Sequence, residues 1–208
     1  MGRRGWLAAL CLVWLVLPAA AEARDRLWHA TLYLGQWVSP SEFTRSIGAG
    51  DDALGDGYFA SVLASRVLVR ELRTDLPVLG PLIDGGSIEL EGQFGQHFGL
   101  QRHAEASLAL LWRSRELRLP FSAMQLNLAV AEGLSYALSR PTYEGVVNER
   151  SPQKFLNYLA FEAEFSHPDW PGVSLVPRLH HRSGIFGLIA PQGSGSDFLG
   201  IGVRVRLQ

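Results

Sequence analysis

The sequence predicts an all-β protein, an eight-stranded antiparallel up-and-down transmembrane β-barrel, and three observations carry that prediction. Eight segments show strand character, each close to the roughly 9–11 residues that a tilted strand needs to cross a bilayer. Within all but one of them an apolar face opposes a polar one, with the period of two that alternating Cβ directions impose. Long and short connections alternate along the chain, as they do when every second loop lies on the same side of a membrane.

Ahead of the strands, residues 1–23 read as a secretory signal peptide. Arg3 and Arg4 give a basic start, Gly5 to Leu17 form an apolar run, and Ala19 to Ala23 supply small residues suited to cleavage after Ala21 or Ala23. The apolar run is shorter than the roughly 20 residues of a membrane-spanning helix. Residues 24–208 are then expected to form one barrel domain, exported to the outer membrane. Cys11 is the single cysteine and falls inside the leader, so the expected mature chain has no disulfide to form. Nineteen Lys and Arg against 20 Asp and Glu, mixed along the chain, give no electrostatic case for nucleic acid.

The strands are expected near 27–38, 58–69, 87–98, 103–113, 122–132, 154–165, 173–183 and 197–207. In the first, Trp28, Ala30, Leu32 and Leu34 oppose His29, Thr31, Tyr33 and Gly35. The second, YFASVLASRVLV, is apolar on both faces and its orientation is ambiguous. In the third, Ile88, Leu90 and Phe94 oppose Glu89, Glu91, Gln93 and His97; in the fourth, Ala104 to Trp112 on the even positions oppose His103, Glu105 and Ser107. Met124, Leu126, Leu128 and Val130 oppose Gln125 and Asn127 in the fifth, and Phe155, Leu159, Phe161 and Phe165 oppose Tyr158, Glu162 and Glu164 in the sixth. The eighth sets Leu199, Ile201, Val203, Val205 and Leu207 against Gly200, Gly202, Arg204 and Arg206.

With the amino terminus inside, 39–57, 99–102, 133–153 and 184–196 become outer loops, and 70–86, 114–121 and 166–172 inner turns. Segment 70–86 is long for such a turn, and Pro77 and Pro81 suggest a structured excursion. An eight-stranded barrel has an interior that side chains just fill. The acidic residues at 89, 91, 105, 162 and 164 are therefore expected to meet Arg178, Arg204 and Arg206 there, since unpaired buried charge is costly. Trp37, Tyr58, Trp112, Tyr136 and Trp170 fall near strand ends, as interfacial aromatic belts do. A soluble barrel with its greasy face turned inward around a ligand would alternate in the same way.

The seventh strand carries the candidate chemistry. From Val173 the odd positions run Leu175, Pro177, Leu179 and then His181 and Ser183, so an imidazole and a hydroxyl close the stripe that faces lipid. In the up-and-down topology the outer end of this strand lies beside the start of the last, which places Asp197 on the same face within cross-strand reach. Ser183 would act as nucleophile, His181 as base and Asp197 as the carboxylate that orients the imidazole, which is the constellation for ester hydrolysis. Residues i and i+2 of a strand have Cα atoms about 6.5–7 Å apart, so the two side chains must lean together to touch.

Other motifs are absent: no Gly-x-Ser-x-Gly elbow, no His-Glu-x-x-His, no phosphate-binding glycine loop. His180 beside His181 does not make a metal site, because adjacent strand residues face opposite sides, and no metal or organic cofactor is expected. The GSGS run at 193–196 reads as a loop tip.

The run LHHRSGIFG, with His181, Arg182 and Ser183, followed by Asp197 in SDFLGIGVRVRL, resembles the PagL-type lipid A 3-O-deacylases, eight-stranded outer-membrane barrels with a His-x-Ser near the outer end of the seventh strand. The resemblance implies removal of an ester-linked hydroxyacyl chain from the lipid A part of lipopolysaccharide, with His181, Ser183 and Asp197 in the roles above and acyl chains lying against Leu179, Leu199 and Ile201. Gly184 stands where the family carries asparagine, and aspartate replaces the family's glutamate; the oxyanion donor is therefore unassigned, with the backbone N–H of Gly184 as one group that could supply it. A non-enzymatic small barrel with a structural or adhesive role is the alternative that the architecture leaves open.

Overall fold

A bilayer core offers no partner to an open sheet edge, so strands that cross it must close on themselves. The computed structural model describes residues 28–38, 54–74, 80–149 and 151–207, and its strands do close. They are β1 (Trp28–Val38), β2 (Leu54–Val69), β3 (Ser87–Gly99), β4 (Ala104–Arg113), β5 (Gln125–Ala137), β6 (Phe155–Ser166), β7 (Val173–Ser183) and β8 (Gly195–Leu207). Each pairs antiparallel with its sequence neighbours; β8 returns to β1, from Trp28 opposite Leu207 to Val38 opposite Asp197. A two-residue strand, Leu117–Arg118, adds to β5, and short helical turns α1 (Gly80–Ile83), α2 (Thr142–Val147) and a 3₁₀ turn at Ile185–Gly187 sit in the connections. The expected leader at 1–23 and residues 39–53 of the first outer loop lie outside the described residues.

The alternation turns the greasy face outward. Leu32 and Leu34 are each 66% exposed while Thr31, Tyr33 and Trp37 between and beyond them are buried. Phe94, Leu108, Leu110, Leu128, Leu134 and Val203 continue the exposed apolar wall round the cylinder. Charge collects inside instead, the inverse of a soluble protein and the arrangement of a membrane barrel.

The lumen is filled rather than open. Arg178 bonds both oxygens of Glu91 (2.5 and 3.3 Å) and also meets Glu162 and the Tyr158 hydroxyl. Arg113 donates to Glu89 (3.0 Å) and Glu162 (2.8 Å) and lies 2.6 Å from Glu164; Arg204 donates to both oxygens of Glu89 (3.0 and 2.9 Å). Arg206, expected in this network, is instead exposed at the inner rim, and Arg113 and Arg182 take its place.

The outer half of the lumen is aromatic. Tyr33, Trp37, Phe59, Leu63 and Phe198 pack together there, with Trp37 edge-on to Phe198 at 5.4 Å. Trp37 is therefore a lumen residue and not part of an interfacial belt, whereas Tyr58, Tyr136 and Trp170 are exposed near strand ends. Phe59 and Leu63 also explain why the second strand looked apolar on both sides: the inward face supplies this cluster and the outward face, Tyr58 and Val62, supplies the wall.

Two strands differ from their expected bounds by more than two residues. β2 starts at Leu54 and β5 starts at Gln125 but runs on to Ala137, so residues 133–137 are wall rather than loop. Gly133 permits this, because its β-carbon would sit 2.1 Å from the Leu108 carbonyl oxygen on the paired strand. The excursion at 70–86 is structured at both ends: Leu72 and Gly86 continue the hairpin ladder, and the Asp84 carboxylate accepts from the Thr74 N–H at 2.7 Å.

Candidate active site on the outer rim

The register of β7 builds the site. His181 lies directly opposite Asp197 on β8 and opposite Leu159 on β6, and Asp197 in turn lies opposite Val38 on β1. Four strands thus set the rung Leu159–His181–Asp197–Val38 with side chains of one parity. His181 Nδ1 and Asp197 Oδ1 form a hydrogen bond across the pair. The Asp197 side chain is fully buried and that of His181 is 12% exposed, so the carboxylate works in a sheltered environment behind a ring that reaches the surface.

One rung further out, Ser183 pairs with Gly195 on β8 and with Asn157 on β6. Its hydroxyl shares the face of His181 and makes no side-chain hydrogen bond among the described residues. The structure therefore shows the imidazole–carboxylate contact and, among the described residues, no imidazole–hydroxyl hydrogen bond. Gly195 must be glycine: its φ is +115°, and a β-carbon would lie 1.8 Å from the Arg182 carbonyl oxygen. Gly184 is likewise forced, with the Ala190 carbonyl oxygen 2.3 Å from where its β-carbon would be, because the loop folds back and Ile189 N–H donates to the Gly184 carbonyl at 3.0 Å. That fold drives Ile185 and Phe186 to φ of +46° and +50°, and holds Phe186 almost fully exposed at the rim. A β-branched residue in this region stores strain, of the order of 1–3 kcal/mol.

Behind the wall, Arg182 anchors the outer ends of β7 and β8. It donates to Ser135 Oγ (2.7 Å), to Glu144 Oε1 (2.7 Å) and to the Lys154 carbonyl (3.3 Å). Glu144, on α2 and buried, also accepts from Ser196 Oγ at 2.7 Å, while the Asn148 amide donates to the Gly195 carbonyl at 3.0 Å. The loop after β5 is thereby pinned to the residues that flank His181, Ser183 and Asp197. Sequence reading missed Glu144, Asn148 and Asn157. Only Asn157 left a signal, an amide on an outward position of β6 at the level of the His-x-Ser triplet.

Below the rung the wall is dented. Pro177 has no N–H to give, and the β6–β7 ladder lapses between Glu162–Arg178 and Phe165–Leu175. With the small Ala163 facing it, this opens an apolar groove of about 470 Å³ on the outward face, lined by Trp112, Leu128, Val130, Phe161, Leu179 and Leu199. Leu179 and Leu199 face each other one step below His181–Asp197, and Ile201 lies exposed opposite Pro177. The expected acyl-contact residues thus share one surface that starts at the imidazole.

A second cluster lies inside the lumen. Glu105 accepts from His97 Nε2 (2.9 Å) and from the hydroxyls of Ser107 (3.2 Å) and Ser135 (2.9 Å), with His180 Nε2 at 3.1 Å. His103, on the turn before β4, stacks on His97 at 4.1 Å, and burial pushes its pKa down to about 3, aided by the neighbouring His97 and Arg182 charges. His180 belongs to this group and His181 to the outer face, as their adjacent positions require.

The fold is shared with a solved outer-membrane barrel. The crystal structure of the outer membrane enzyme PagL superposes with a TM-score of 0.53 at 11% identity, covering 88% of this chain and 99% of that one. Neisserial surface protein A gives 0.45 at 12% identity over 88% and 96% of the two chains, and the N-terminal β-barrel domain of Pseudomonas aeruginosa OprF gives 0.41 at 9% over 86% and 97%. No protein-family model and no curated protein sequence matches the chain. The first of these likenesses establishes a common fold, and the fold houses an enzyme in that case.

Proposed function

We propose that the protein is an outer-membrane esterase, exported through the leader at 1–23, that hydrolyses an ester-linked hydroxyacyl chain of lipid A in the manner of the 3-O-deacylases. The observation that carries the reading is the His181–Asp197 hydrogen bond on the lipid-facing wall, with Ser183 one rung further out. Polar residues have no structural reason to interrupt an apolar stripe, and here the interruption holds a base already paired with its orienting acid.

The substrate reaches the site from within the membrane. One acyl chain lies in the groove over Leu179 and Leu199 and against Ile201, and the sugar head group stays at the rim. Ser183 Oγ attacks the ester carbonyl as His181 Nε2 takes its proton, while the Asp197 carboxylate stabilises the imidazolium. The proton passes to the departing sugar oxygen, and water then releases the fatty acid from the acyl-serine. The tetrahedral oxyanion needs donors fixed in advance. The amide of Asn157, buried and directly opposite Ser183, supplies one, and the Gly184 N–H is the backbone candidate. No residue of this scheme calls for a cofactor.

Lipid A extracted from cells that make the protein should lose the mass of one hydroxyacyl chain, and cells making Ser183→Ala should keep it while still assembling the barrel. Identical spectra from the two would remove the enzymatic reading. The open Ser183–His181 contact favours one second reading, a non-enzymatic barrel whose rim residues are interfacial only, and that outcome would support it.

A further inference from the structure

We infer that the outer half of the lumen binds one divalent transition-metal ion through His97, His103 and Glu105. One ligand atom from each of these side chains lies within 4.8 Å of the other two, and all three residues are buried. The cluster is separate from the outward-facing rung, so the inference does not depend on catalysis by Ser183.

The decisive feature is His103. The residue is 3% exposed, and neither ring nitrogen has a hydrogen-bond partner; Nδ1 of the adjacent His97 is also unpartnered. Buried polar atoms are nearly always satisfied, and those left over call for an ion or a water. Phe59 and His103 sandwich the His97 ring, at 4.2 Å and 4.1 Å between centroids, so His97 is held by stacking together with its bond to Glu105, and His103 by stacking with no hydrogen bond to either ring nitrogen. A donor set of two imidazoles and a carboxylate suits zinc and its neighbours rather than magnesium or calcium, which take oxygen ligands.

The surroundings are those of a supported site. Ser107 and Ser135 donate to Glu105 Oε1, and Arg182 Nε lies 3.4 Å from Oε2, which orients the carboxylate and balances its charge. His180 Nε2, 3.1 Å from the same carboxylate, stands ready as a further imidazole. Zinc–nitrogen and zinc–oxygen bonds of about 2.0–2.2 Å draw ligand atoms closer than they stand here, so binding splays the stacked rings. His103, carried on the turn at 100–103, is the side chain placed to move. Such an ion would staple the β3–β4 turn to the lumen side of β7.

The experiment uses the untagged full chain, refolded, stripped with a chelator and titrated with Co²⁺ and then Zn²⁺. The expected result is one Co²⁺ per barrel with the visible absorption of a low-coordinate nitrogen and oxygen site, displaced by one equivalent of Zn²⁺. X-ray absorption of the zinc form should show at least two imidazoles. His103→Phe keeps the ring stack, removes both nitrogens and should weaken binding at least about tenfold. His167→Ala, altering the separate polar cavity at the inner mouth, should change nothing. A stripped wild-type protein that takes up no stoichiometric ion, a bound ion with fewer than two imidazoles, or an affinity unchanged in His103→Phe would each overturn the inference and leave water as the partner of His103.

Discussion

Replacing Asp197 by asparagine isolates what the buried carboxylate does. The side chain is fully buried and bonded to His181 Nδ1, so the change keeps its volume and removes its charge. In the proposed mechanism His181 accepts the serine proton, and the imidazolium and the carboxylate then sit about 5 Å apart between charge centres. At an effective dielectric of about 20 that attraction is about 3.3 kcal/mol. At about 1.4 kcal/mol per decade, losing it slows the chemical step about 10²–10³-fold. The asparagine amide can also donate to Nδ1 and hold the tautomer that presents N–H to the serine, and in serine triads the two effects together approach 10⁴. The assay is release of hydroxy fatty acid from lipopolysaccharide by refolded protein, with folding followed by heat-modifiable migration in detergent. A fully folded Asp197→Asn protein that retains more than about a tenth of wild-type kcat would refute the role given to this residue.

Other consequences reach further from the rung. Asn157→Ala should lower kcat about 10²–10³-fold, the effect of losing one oxyanion donor, with KM little changed; steady-state kinetics on the same substrate separate the two. Leu32→Arg, at the middle of the outward wall, should destabilise the barrel by about 2–4 kcal/mol in urea-dependent folding into lipid vesicles. In a soluble barrel with a wet exterior the same change would fall within about 0.5 kcal/mol. Arg178→Ala leaves Glu91 and Glu162 buried without their partner and should cost about 3–5 kcal/mol by the same measurement.

The strand pattern was legible because the two faces of each strand meet different solvents. β1 and β7 could be read residue by residue, since Leu32 and Leu34 or Leu175 and Leu179 repeat at the period that the pleat imposes. The pattern failed where the lumen is itself greasy, at Phe59 and Leu63, and where a glycine opened a strand segment, at Gly133. His181 and Asp197 were legible as a pair because parity and hairpin topology fix both their face and their level. Glu144 was not: its partner Arg182 lies 38 positions away, and nothing in a loop sequence announces which buried cation it will meet. The lumen cluster was half legible, with His97, His103 and Glu105 on the expected inward face. Their convergence depends on the tight β3–β4 turn and on stacking geometry that no period reveals.

The central claim, a serine nucleophile on the lipid-facing wall, is tested most directly by labelling the refolded protein with a fluorophosphonate and mapping the adduct by peptide mass spectrometry. The account predicts a single adduct on Ser183 that disappears in His181→Asn. An unmodified Ser183, or a Ser183 adduct that forms as readily without His181, would contradict it.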